Sequence, residues 1–164
     1  DIICIDKSIA SGLPLGATVA RAKIMDWEGG SHASTFGGNP LSCVAASAVI
    51  DVIEEEKLMD NATKLGNYIM KRLQEFKEKC EILGDVRGKG LMIGAEIVED
   101  KKTKKPAKEK ANEIMNRCWK RGVAVITCGT STIRIAPPLN ITRELVDASM
   151  EIIEDTMKEV EKER

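Results

Sequence analysis

Apolar residues recur at two different periods along this chain, and each change of period marks out an element. Leu41, Val44, Ala45, Ala48, Val49, Val52 and Ile53 fall at helical spacing, which predicts a helix from Asn39-Pro40 to about Glu55, with the asparagine as cap and the proline at the first helical position. The same spacing links Ala62, Leu65, Ile69, Leu73 and Phe76 in a second helix over 58–79. Beyond Cys80 the period shortens, and 82–86 and 91–98 read as strands about a turn of Arg87, Gly88, Lys89 and Gly90. The charged run 99–110 reads as a solvated loop, and a third helix over 107–120 stops at Gly122. Strands over 123–127 and 132–136 flank a loop at 128–131, and Pro137-Pro138 ends the second of them. Thr142 then caps a last helix whose buried side uses Leu145, Val146, Ser149, Ile152, Ile153 and Met157.

The first 38 residues differ in kind. Residues 1–5 read as a short buried strand, and 6–18 as a small-residue loop that something must approach closely. Residues 19–24 suit a strand or short helix, and 26–38 an irregular loop with four glycines. Residues 57–164 alternate helix and strand over about 100 residues, enough for one α/β domain. Residues 1–56 hold one strand, loops and one helix, with nothing to cover the strand's faces and edges, so they read as the trailing part of a larger domain.

Charge narrows the partners. Charged residues make up 31% of the chain but balance to a net −1, which implies no overall attraction to nucleic acid or anionic membrane and favours small molecules or protein. No apolar run approaches the roughly 20 residues of a membrane span, whereas a leader upstream of Asp1 stays open. Five widely spaced cysteines without a CxxC pair suggest reduced thiols and a cytoplasmic setting. A single histidine, His32, gives a zinc site little support.

Three residues stand out chemically. Lys7 lies just beyond an apolar strand at the mouth of a small-residue loop, the strand end at which open α/β sheets place ligands; on position alone, a solvated lysine is the commoner outcome. Thr35 precedes a diglycine and a capped helix, so its hydroxyl and the nearby backbone N–H groups suit a phosphate in the field of a helix N-terminus. An ordinary loop threonine fits as well. Arg134 sits between Ile133 and Ile135 and would point away from both, with a planar guanidinium shaped for a carboxylate; a salt-bridged surface arginine is the alternative. His32 could touch substrate, although a hydrogen-bonded loop histidine is commoner. Gly88, Gly90 and Gly94 miss the dinucleotide-binding spacing, and Arg87-Gly88 reads as a structural turn.

The segments carrying these residues occur in a telling order. Lys7-Ser8-Ile9-Ala10-Ser11-Gly12-Leu13-Pro14-Leu15-Gly16-Ala17, then Ser34-Thr35-Phe36-Gly37-Gly38-Asn39-Pro40, Asp85-Val86-Arg87-Gly88-Lys89-Gly90-Leu91-Met92-Ile93-Gly94 and Ile133-Arg134-Ile135-Ala136-Pro137-Pro138-Leu139 together resemble the class III pyridoxal-phosphate-dependent aminotransferases, the group of the 4-aminobutyrate, acetylornithine and ornithine enzymes. Ser8 and Ala10 stand where many relatives have glycine, and both are small enough to preserve the match.

The resemblance implies an α/β fold, the C-terminal part of a fold-type I transferase: 1–56 as the end of the large cofactor-binding domain and 57–164 as the small domain. It implies that Lys7 binds pyridoxal 5'-phosphate through its amine and, after substrate exchange, carries the proton between the substrate's α-carbon and the cofactor. That chemistry needs an unprotonated amine, hence desolvation or nearby positive charge. Thr35 would contact the phosphate of the cofactor in a neighbouring subunit, which implies a homodimer or higher homo-oligomer, and Arg134 would bind the substrate's carboxylate. The family's phosphate-cradling turn, its ring-stacking aromatic and the aspartate facing the pyridine nitrogen belong to an N-terminal half not contained in these residues. The expected activity is amino transfer from an amino acid such as 4-aminobutyrate or acetylornithine to a 2-oxo acid, with the 164 residues inactive alone. A racemase of the same fold and a non-catalytic binding or assembly module are the alternatives.

Overall fold

In the computed structural model, which describes residues 1–163, the opening apolar run forms strand β1 (Ile2–Ile5), paired antiparallel with β2 (Ala17–Ala20) so that Ile3 faces Val19 and Ile5 faces Ala17. Short 3-10 turns occupy Ser8–Ala10 and Ala22–Ile24. Helix α1 (Pro40–Glu55) begins where the Asn-Pro pair predicts. These elements form the first of two compact units, Asp1–Leu58.

Two expectations about burial fail in this unit. Ile2, Ile3 and Ile5 are exposed, and so are Leu41 and Val44 of the α1 stripe, each at 68%. The 3-10 turn of Ser8–Ala10 packs against α1, and the residues buried in these two elements are all small: Ala10, Ser42 and Ala46. Helical periodicity located the helix correctly, but two strands and a turn cannot cover its large apolar residues.

The second unit is Met59–Arg164. Its sheet is antiparallel throughout, in the order β3 (Leu83–Lys89), β4 (Met92–Ile97), β6 (Thr132–Ile135), β5 (Ile126–Cys128). The two faces alternate along β4 and β6, with one exception: Thr132 is buried although it shares the face of Arg134. Ile93, Ala95, Ile97, Ile133 and Ile135 are buried in one core with α2 (Leu58–Lys77), α3 (Lys108–Lys120) and α4 (Arg143–Lys162), whereas Met92 and Arg134 are exposed on the other face. From α2 this core takes Leu65, Ile69, Leu73 and Phe76. α4 is capped by Thr142, whose hydroxyl accepts the Leu145 N–H at 3.4 Å.

Three local expectations need correcting here. Arg87, Gly88 and Lys89 are not turn residues but belong to β3, opposite Gly94, Ile93 and Met92. The glycines there answer to close packing: a Cβ on Gly88 would lie 2.4 Å from the Met92 carbonyl oxygen. Leu145 is exposed and Ser149 and Ile152 are only half-buried, whereas Val146, Ile153 and Met157 face inward as expected and are joined by Met150, Thr156 and Val160. The charged run after β4 is tied down as well as solvated. The Asp100 carboxylate accepts the backbone N–H groups of Lys102 and Thr103 at 2.9 and 2.8 Å, and Val98 bridges to Pro106. Among the described residues no helix is long and apolar enough to cross a membrane.

Candidate functional site

Lys7 owes its position to a strained backbone. Its φ of 60° and ψ of −90° lie near the γ-turn region that side chains rarely enter, at a cost of about 1–3 kcal/mol. Ser11, at φ 47° and ψ 46°, is also left-handed, so two uncomfortable residues bracket the Ser8–Ala10 turn. Ala10 at its end is only 1% exposed, and the packing of that turn on α1 holds the chain in the bend. The Lys7 side chain is exposed.

The segments on either side of Lys7 and Thr35 border a groove of about 730 Å³ inside the first unit, lined among others by Asp6, Gly16, Trp27, Ser34, Phe36 and Gly37. That volume is within the range of small-molecule sites, roughly 300–1,000 Å³. Lys7 and Thr35 are not lining residues themselves; Asp6 is, and so are Ser34 and Phe36 on both sides of Thr35. The loop closes tightly there: Gly37 donates its N–H to the Ser34 carbonyl at 3.2 Å, and a Cβ on Gly37 would stand 2.7 Å from Ser34 Oγ. Gly38, with φ +66°, is the residue whose backbone favours glycine here, and Thr35 is exposed at the bend.

The anion site expected at the start of α1 is partly pre-empted. Asn39 Oδ1 accepts the N–H groups of Leu41 and Ser42 at 3.0 and 3.3 Å, so two helix-end donors already have a partner. A phosphate here would depend on the Thr35 hydroxyl, the Gly37-Gly38 turn and the helix dipole. His32 is exposed, lines the groove and lies 6.2 Å from the Trp27 ring, centroid to centroid. It has no hydrogen-bond partner among the described residues, contrary to the commoner expectation for a loop histidine. Trp27 and Asp6 escaped sequence reasoning; nothing in their spacing flags them.

Arg134 belongs to the second unit. It stands on β6 opposite Gly94 on β4 and Ile126 on β5, on the face away from the helices, with both isoleucine neighbours turned into the core. No ion pair engages it among the described residues, unlike Arg87, whose Nη1 donates to Asp85 at 2.8 Å and to Glu96 at 2.6 Å and whose Nη2 donates to Thr132 Oγ1 at 3.4 Å. The Arg87 hydrogen bond holds the Asp85 carboxyl below its ordinary range. Asp85 and Glu96 were also missed, although their two-residue offsets from Arg87 and Gly94 put them on this face. Lys7 and Thr35 thus lie in one unit and Arg134 in the other.

The pattern of the aminotransferase class-III family matches residues 1–157. Leucine/methionine racemase from Thermococcus litoralis is 44% identical over 165 residues, 100% of this chain and 37% of that protein. Acetylornithine aminotransferase from Clostridium acetobutylicum is 35% identical over 96% of this chain and 39% of its own length. Among solved structures, an amine transaminase from an uncultivated Pseudomonas species, in its PLP-bound form, superposes with a TM-score of 0.90 at 35% identity, over 98% of this chain and 38% of that one. The chain therefore spans well under half the length of these relatives.

Proposed function

Because this chain belongs to the class III aminotransferases, we propose that the complete protein is a pyridoxal-phosphate-dependent transaminase that moves an amino group from an amino acid to a 2-oxo acid. The observation that carries this reading is the strained backbone at Lys7 beside a groove of ligand size, since strain held in place by packing is characteristic of sites where a side chain must be presented. In this reading residues 1–56 are the end of the large domain, whose preceding part covers the exposed apolar faces of β1 and α1. Residues 57–164 are the small domain.

The residues present fit the cofactor in part. Lys7 supplies the amine that would hold it, and Thr35, at the glycine-made bend, supplies a hydroxyl donor for a phosphate. When bound, pyridoxal phosphate supplies an electron sink for bonds at the substrate's amine-bearing carbon. Lys7, released when substrate arrives, holds the proton removed from that carbon and returns it. Arg134 takes the substrate's carboxylate through its planar fork. Thr35 serves the cofactor of a second copy of the chain, so the working protein is a homodimer or larger. Acetylornithine or 4-aminobutyrate is the donor proposed, and the 164 residues alone are inactive.

A second reading is favoured by one observation: the Thermococcus litoralis relative at 44% identity is a racemase. Both chemistries need the same lysine and differ in where the proton is returned. Incubating the complete protein with one enantiomer of an amino acid and no 2-oxo acid separates them. A transaminase leaves the enantiomer's configuration intact and turns over only once a 2-oxo acid is added. Inversion at many turnovers without an acceptor would overturn the transaminase reading.

A further inference from the structure

The groove in the first unit has a one-sided chemistry. Among the described residues its lining holds one carboxylate, Asp6, and no lysine or arginine, in a chain where those two cations number 25 of 164 residues. Aromatic residues make up only 3% of the sequence, yet Trp27 and Phe36 both line the groove, 50% and 76% exposed, with the His32 ring 6.2 Å from that of Trp27. An acid beside exposed ring faces is the combination that receives an ammonium, the acid through its charge and the ring through its quadrupole. The same combination repels a carboxylate.

The hairpin places Asp6 and leaves it free. Asp6 directly follows β1, and the pairing of Ile5 with Ala17 puts it beside Gly16 on the other strand. Asp6 Oδ1 lies 4.0 Å from where a Cβ on Gly16 would stand, so residue 16 offers no side chain to cover the carboxylate. The one salt bridge of this unit among the described residues joins Arg21 to Asp1, and Asp6 takes no part in it. Lys7 is the next residue, and neighbouring Cα atoms are about 3.8 Å apart. A small molecule held at Asp6 is therefore already beside the amine that the transaminase reading uses.

We propose that this groove is the ammonium subsite for the amino donor. Asp6 and the Trp27 ring receive the donor's ammonium beside Lys7, and a 2-oxo acid, which lacks that charge, gains nothing from them. The donor assignment rests on the transaminase reading, whereas the cation subsite does not. Asp6 and Trp27 are both exposed, so solvent limits the effect of the acid to about fivefold and that of the ring to about threefold.

Two probes test the subsite without turnover. N,N-Dimethylbutylamine is a tertiary amine, cationic at neutral pH and unable to condense with an aldehyde; N-butylacetamide is a neutral molecule of similar size. In calorimetry on the complete, cofactor-loaded protein the amine is expected to bind about tenfold more tightly than the amide. D6N should weaken the amine about fivefold and W27L about threefold, each moving the amide by less than about twofold. If D6N fails to fold, W27L carries the test. An amine-to-amide ratio that the folded variants leave unchanged overturns the subsite. In steady-state kinetics D6N should lower kcat/KM for the amino donor about fivefold and that for the 2-oxo acid by less than about twofold. Equal losses for both substrates, with the calorimetric ratio still dependent on Asp6, overturn the donor assignment alone. A complete protein that transfers no amino group overturns the transaminase reading, and the calorimetric ratio then still decides the subsite.

Discussion

Lys7→Arg in the complete protein is expected to lower turnover by at least about 10³-fold, the range for losing a positioned acid–base and covalent group, without unfolding it. Arginine keeps the length and charge but cannot give up its proton at working pH, so it can neither hold the cofactor nor carry a proton at the substrate's amine-bearing carbon. Steady-state turnover with the visible absorbance of bound cofactor reads the loss, and a thermal melt reads the fold. A companion variant separates function from structure. Lys7 occupies a conformation that glycine tolerates better, so Lys7→Gly should raise the unfolding free energy by roughly 1 kcal/mol while abolishing activity. A lysine of purely structural importance would give the opposite result, a less stable protein.

Gly66→Ala is expected to be the most damaging small substitution in the second unit. An added Cβ at this helical glycine would lie 2.1 Å from the Gly90 carbonyl oxygen and 2.4 Å from its carbon, both backbone atoms of the β3–β4 turn. A flexible side chain could swing aside, but here α2 or the turn itself must move. Overpacking costs about 1–3 kcal/mol and occasionally more, and backbone against backbone is the severe end, so a loss of about 3 kcal/mol is expected. For a unit of this size that lowers the melting temperature by more than about 10 °C. Gly29→Ala, where nothing lies within 4 Å, is the control and should change stability by less than about 0.5 kcal/mol. Urea or thermal unfolding measures both.

The contact between Gly66 and Gly90 also shows how far the chain can be read without coordinates. Asn39-Pro40 and Thr142 announced their helices because a cap is a local hydrogen-bond requirement, met within three residues. The core face of α2 was legible because one period of apolar residues meets one sheet. The turn at 87–90 was misread because glycine marks two different needs. Gly90, with φ +54°, serves the turn, whereas Gly88 and Gly66 serve backbone approaches across the fold. On α1 the period was right and the burial wrong, since amphipathic spacing says which residues share a face and not what covers it.

Site residues divide the same way. Arg134 was placed outward by simple alternation, and its isoleucine neighbours are buried. The strain at Lys7 was not legible, because nothing about a lysine announces a positive φ. At Thr35 the helix-end field was legible but not its local competitor: Asn39, as the cap of α1, takes two N–H groups that a phosphate would otherwise use. The Asp85–Arg87–Glu96 cluster was missed because it depends on cross-strand register, which periodicity leaves unassigned.

Which lysine holds the cofactor can be read directly. The complete protein is loaded with pyridoxal phosphate, reduced with borohydride and digested, and the pyridoxyl adduct is located by peptide mass mapping. One adduct per chain, on Lys7, is the expected result. An adduct on another lysine, with Lys7 unmodified in a protein that turns over, would contradict the assignment.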